Sequence, residues 1–131
     1  MQAKKMQQHI FNALDEAKAI DITVLDVRKL TDIADYMIIA SGTSTRHVSA
    51  TARKITDKMR ELGVKSAGTE GETSGEWVLV DFGDVVVHVM HPQTRAFYNL
   101  EKLWSGDMSS LADMGKGPGI ELVARHQRAR K

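Results

Sequence analysis

The residues with the greatest chemical capacity fall in three places. Ser41-Gly42-Thr43-Ser44-Thr45-Arg46-His47 gathers hydroxyls, a guanidinium and an imidazole just after a short apolar run. If a helix opens there, its free N–H groups and Arg46 suit a phosphate or carboxylate. The same hydroxyls serve equally as helix caps. A single glycine, no following lysine and neither a dinucleotide nor a Walker glycine pattern weight the turn towards capping. His88 and His91 put two imidazoles three apart, but along a strand such positions point to opposite faces, and no third metal ligand is evident. The expectation is a hydrogen-bonded sheet histidine at 88 and a helix cap at 91. Asp81 and Asp84 flank Gly83 and suggest a magnesium pair, yet turn carboxylates usually bond nearby backbone. The chain contains no Asp-x-Asp unit and no nucleophile-elbow signature. No catalytic, metal or cofactor residue is therefore assigned.

Trp77 remains. Two apolar runs, 77–82 and 85–90, are separated by Gly83-Asp84, which reads as a hairpin because glycine tolerates the positive φ of a tight reversal. The second run is nearly continuous valine, as in a strand buried on both faces. Period two places Trp77, Leu79 and Asp81 on one side of the first strand and Val78, Val80 and Phe82 on the other. An aromatic beside a carboxylate resembles the centre of a protein interface. The expectation is that the valines hold the sheet while Trp77, Leu79 and Asp81 are offered outward.

These groups need a scaffold. Met6, Ile10, Leu14 and Ala17 recur at helical spacing between residues 2 and 20. Residues 21–27 and 35–40 read as strands. Val48, Ala52, Ile55, Met59 and Leu62 mark a helix capped by Thr43 or Ser44 and closed by Gly63. Residues 64–68 suggest a short strand before a polar loop, 69–76, that leads into the hairpin. Pro92 opens a last helix with Ala96, Phe97, Leu100, Leu103 and Trp104 facing inward. The order predicts an α/β (mixed α+β) fold, a four- to five-stranded mixed sheet with three helices. If the strands on either side of the capped helix are parallel neighbours, that helix lies in a crossover.

The chain is 131 residues long, room for one domain with a real core. It has no cysteine, which removes disulfides and thiolate chemistry and is compatible with a reducing, cytoplasmic setting. The N-terminus lacks the long apolar core of a secretion signal, and no apolar run is long enough to span a membrane. Residues 1–104 carry 13 basic and 14 acidic side chains, and residues 105–131 carry five and three. The division predicts a domain over 1–104 and a flexible basic tail over 105–131, with RNA contact expected at the tail or a small local patch.

Three motifs in order carry a family resemblance. The run Asp35-Tyr36-Met37-Ile38-Ile39-Ala40-Ser41-Gly42-Thr43-Ser44-Thr45-Arg46-His47 is the first. Glu70-Gly71 followed by Trp77-Val78-Leu79-Val80-Asp81-Phe82-Gly83-Asp84-Val85-Val86-Val87-His88-Val89 is the second, and Arg95-Ala96-Phe97-Tyr98-Asn99-Leu100-Glu101-Lys102-Leu103-Trp104 the third. Together they resemble the Iojap-related ribosomal silencing factor (RsfS) family across residues 2–104. The resemblance implies a nucleotidyltransferase-like fold without catalytic machinery, in which Gly42-Thr43-Ser44 is similar to a relic of that class's glycine–serine turn. It implies no cofactor and a translational repressor that binds the large ribosomal subunit through its protein number fourteen, on the intersubunit face. Subunit joining is then blocked under nutrient limitation. Homodimerisation in isolation is implied for some members. Carried over by position, Trp77, Leu79 and Asp81 are the leading partner contacts, followed by Tyr36, Arg46 and His47. A large-subunit assembly factor and, more remotely, a nucleotidyltransferase stay open as alternatives.

Overall fold

The computed structural model describes residues 1–100. Eight elements follow one another: α1 (Ala3–Glu16), β1 (Ile20–Asp26), β2 (Tyr36–Ser41), α2 (Thr45–Glu61), β3 (Gly68–Glu70), β4 (Trp77–Asp81), β5 (Val85–Met90) and α3 (Pro92–Tyr98). The five strands form one mixed sheet in the order β1-β2-β5-β4-β3. β2 and β5 are its parallel centre, with Tyr36 opposite Val85 and Ser41 opposite Met90. The other three pairings are antiparallel. The predicted mixed sheet with three helices is the fold, and α2 lies in the connection between the two parallel strands.

Helix ends explain where the observed bounds depart from the sequence reading. Both long helices close in the same way. At the end of α2, Gly63 takes a φ of 86°, its N–H reaches the Arg60 carbonyl, and the Val64 N–H reaches Met59. At the end of α1, Lys18 takes a φ of 64°, its N–H donates to Asp15, and the Ala19 N–H donates to Leu14. Both are paired, left-handed closures that satisfy the last carbonyls. Gly63 announces the first. Lys18 hides the second, so α1 stops at Glu16 rather than running on towards residue 20. The same closure draws Val64 against the core, and the short strand forms later, at Gly68–Glu70.

The sheet separates two apolar clusters. On one face, Ile38, Ala40, Val78, Val80, Val85, Val87 and Val89 meet α1 (Met6, Ile10, Leu14) and α2 (Val48, Ala52, Ile55, Met59). The stripe spacing of both helices fixes that contact. On the opposite face Met37, Ile39, Trp77, Leu79, Val86 and Met90 are covered by Val27, Ile33 and Ala34 from the β1–β2 connection and by Leu100, with Tyr98 at the margin. The alternation of β4 is thus as predicted, Val78 and Val80 towards the helices and Trp77 and Leu79 away. In α3, Leu100 is buried beyond the helix end, whereas Ala96 and Phe97 are exposed, Phe97 at 71%. That corrects the expected inward stripe, because a helix of seven residues lying across a sheet margin turns only one narrow side to it. Leu103, Trp104 and the tail at 105–131 lie outside the described residues.

Candidate functional site

The turn after β2 is organised for its own closure. Ser44 is the N-cap of α2, and its Oγ accepts from the His47 N–H at 3.0 Å. The Gly42 N–H donates to the Met90 carbonyl, and the Val48 N–H to the Ser44 carbonyl. His47 clasps two elements: Nδ1 accepts from the Thr43 N–H at 2.9 Å, and Nε2 lies 2.9 Å from the Ala17 carbonyl at the end of α1. An acceptor at one nitrogen and a carbonyl at the other fix the tautomer with its proton on Nε2. His47 is thereby half-buried and engaged at both nitrogens, while Arg46 beside it is exposed. Gly42 is needed for close approach, since a Cβ there would stand 2.7 Å from Val48 Cγ2 and 2.9 Å from the Val48 nitrogen. Capping, the favoured sequence reading, is what these groups do.

At the hairpin, the Asp81 carboxylate accepts from the Gly83 N–H at 2.7 Å, and Gly83 has a φ of 85°. The turn carboxylate therefore bonds local backbone, as its position predicted. His91 caps α3 by accepting from the Gln93 N–H. His88 is fully buried in mid-sheet, where the Trp77 indole Nε1–H donates to its Nδ1 at 2.8 Å. Both histidine expectations hold.

The outward presentation of Trp77 and Leu79 does not. Trp77 is 4% exposed and Leu79 3%. The Tyr98 ring packs tilted on the indole with centroids 4.9 Å apart, and the His88 ring is also tilted against it at 5.8 Å. The physical reason is a second cover. Connecting residues 27–34 and the end of α3 bury the face that strand periodicity alone leaves open. Asp81, at the strand's end, stays half-buried. Tyr36 is also half-buried, with the Arg28 guanidinium 5.5 Å from its ring centroid. Arg28 is itself held by Asp26 through paired bonds of 2.9 and 2.6 Å. That guanidinium pulls the Asp26 carboxyl down to about 2, and the carboxylate in turn raises Arg28 further above its ordinary range.

The six candidates do not form one patch. β2 and β5 begin where β4 ends, so Tyr36 and Asp81 share one end of the sheet. Trp77 starts β4 at the opposite end, where Arg46 and His47 follow β2. Two residues escaped the sequence reading. Arg95 ties α3 to the sheet, donating to Ser41 Oγ at 2.9 Å and to Thr23 Oγ1 at 3.1 Å. Phe97, the most exposed large apolar residue among those described, stands edge-on to Tyr98 with centroids 5.0 Å apart. Trp77, Tyr98 and Phe97 thus make an aromatic stack from the interior to the surface. The helical period gave Phe97 to the core, and nothing in the sequence pointed the other way.

Comparison with known proteins fits this architecture. A family profile described as "Ribosomal silencing factor during starvation" matches residues 1–131. The ribosomal silencing factor RsfS of Chromobacterium violaceum is 46% identical over 112 residues, covering 86% of this chain and 92% of that protein. A crystal structure from the same organism superposes with a TM-score of 0.79 at 47% identity, over 81% of this chain and 88% of that one. A mouse protein named "Mitochondrial assembly of ribosomal large subunit protein 1" is 38% identical over 99 residues, covering 73% of this chain and 43% of that protein.

Proposed function

Because the chain belongs to the ribosomal silencing factor family, we propose that it represses translation by occupying the large ribosomal subunit. Its partner there is protein number fourteen on the intersubunit face, and a bound body at that place excludes the small subunit. The observation that carries this reading is the family match along the entire chain, 1–131. No bond need be made or broken for such an action. Occlusion requires only a folded body and a modest interface with an aromatic anchor. It is exerted in the cytoplasm, and among the described residues no helix is long and apolar enough to cross a membrane.

The aromatic contact in this proposal is Phe97. Its exposure suits it to a partner's pocket, while Trp77 and Leu79 act from beneath by holding Tyr98 and Leu100 in place. Aromatic anchors of this kind dominate interface energetics. Phe97→Ala is expected to weaken binding to purified large subunits by about 2 kcal/mol, with unchanged urea unfolding. Full co-sedimentation of the folded variant would move the contact elsewhere. The function itself is tested by adding saturating protein to separated subunits and following their joining by sucrose-gradient sedimentation. Inhibition of joining is expected, and normal joining would overturn the proposal. A second reading, a factor in large-subunit assembly, is favoured by the printed name of the mouse relative. Accumulation of large-subunit precursors in cells lacking the protein, with unaltered joining by mature subunits, would select it.

A further inference from the structure

Charge is divided between the two sides of this molecule. Segments 1–18 and 45–61, which carry α1 and α2, hold eight basic side chains against four acidic. The remaining described residues, 19–44 and 62–100, hold four against nine. Within α2 the basic residues are Arg46, Arg53, Lys54, Lys58 and Arg60, the acidic ones Asp57 and Glu61. Three of the five are arginines seven residues apart. Seven residues make two turns less about 20°, so Arg46, Arg53 and Arg60 lie along one line on the helix, about 10.5 Å from each to the next. At about 100° per residue that line stands roughly 130° round the helix from the buried stripe of Val48, Ala52, Ile55 and Met59, and all three arginines are exposed.

The fold makes little use of these three charges. Arg60 approaches Asp57 at 3.5 Å, a pair exposed on both sides and weak for that reason. Arg46 and Arg53 enter no ion pair among the described residues. Arg53 and Arg60 also line a shallow groove with Thr56 of α2 and Thr69 of β3, whose acidic members are Asp57 and Glu72. The guanidinium is the side chain best suited to phosphate, through two parallel N–H···O bonds. An evenly spaced row on a rigid helix matches a repeating anion better than a single one.

We infer that the Arg46–Arg53–Arg60 row on α2 is a docking surface for the phosphodiester backbone of RNA. This inference rests on the ribosome-binding reading for its setting and adds to it a second contact, on the helical side of the molecule, away from α3 and the aromatic stack. The row neutralises up to three phosphates and orients the body without reading base sequence. It places the RNA contact on the folded domain rather than on the basic tail.

The test is the salt dependence of binding to purified large ribosomal subunits by the full chain, by R46Q/R53Q/R60Q and by a variant with Arg125, Arg128, Arg130 and Lys131 changed to Gln. Each neutralised phosphate contributes about 0.7–0.9 to the slope of log affinity against log salt. The α2 variant is expected to lose about 2–3 from that slope and, near physiological salt, on the order of a hundredfold in affinity. Its urea midpoint is expected to stay within error of the parent. The tail variant is expected to retain the slope. An unchanged slope in the folded α2 variant, or a slope lost only with the tail, overturns the inference. If the parent chain fails to bind large subunits, the ribosome reading fails, and the row is judged on a labelled 20-nucleotide RNA hairpin. Binding that the α2 substitutions abolish upholds the row there, and binding they leave intact overturns it. Equal competition by polyglutamate and RNA would assign the row to an acidic protein and also overturn the inference.

Discussion

The two faces of the sheet bury comparable strands by different means. Towards α1 and α2 the contacts are mainly aliphatic, with Phe82 and the fully buried Thr51 of α2 as exceptions, and two long helices with regular stripes supply the cover. Towards the other side the cover is a connecting segment and a short helix, and polar groups are sealed in with the apolar ones. Trp77 bonds His88, and Arg95 reaches across to Ser41 and Thr23. Periodic helices cover a sheet mainly by dispersion and burial, whereas irregular cover leaves more polar atoms inside that must find one another. The first face responds to changes of volume, the second also to the loss of a donor.

That contrast can be broken at its largest element first. Ile55 is fully buried between α2 and the sheet. Ile55→Ala is expected to lower stability by about 3–4 kcal/mol through lost transfer energy and the cavity left behind, read from the urea midpoint. A loss below about 1 kcal/mol would mean that the helical face relaxes freely, contrary to close packing. On the second face, Trp77→Phe keeps an aromatic ring but removes the indole donor and leaves the buried His88 Nδ1 without that bond. A loss of about 2 kcal/mol is expected, and a neutral result would show that packing, not the hydrogen bond, governs this face too. Because the indole is buried, loss of partner binding in a Trp77 variant counts as recognition only if its folding is intact.

The smallest effect is at the exposed rim. Arg28→Ala is expected to return the Asp26 carboxyl from about 2 towards its ordinary 3.8, measurable by NMR titration of the side-chain carbon. The sign follows from linkage. A carboxyl depressed in the folded state stabilises above its unfolded value and loses that contribution as pH falls from about 3.8 through about 2. The pair is solvent-exposed and screened, so the change in unfolding should be at the edge of detection. A large acid-sensitivity difference between parent and variant would show that the rim is structurally coupled to the core.

Local chemistry was readable wherever one residue type had one physical use. Gly63 marked the end of α2, Thr43 or Ser44 its start, Pro92 the start of α3, and Gly83 the hairpin, since each supplies a dihedral or an acceptor that few residues can. Lys18 was unreadable because a lysine rarely adopts positive φ. Phe97 was misread because an apolar residue at helical spacing is ordinarily core. His47 was read as a weak contact, and only the approach of Ala17, thirty positions earlier, gave it a second bond.

The sequence by itself determined the elements, the two-sided character of β4, the capping of α2 and the three motifs that identify the family. These follow from period, cap and turn chemistry within a few residues of one another. Tertiary structure decided that neither face of β4 stays open, since burial depends on what returns from elsewhere in the chain. Residues 27–34 and the end of α3 closed over Trp77 and Leu79. The same long-range packing left Phe97 outside and turned the arginine row of α2 away from the core. Periodicity tells which side chains share a face, and only the complete fold tells what covers it.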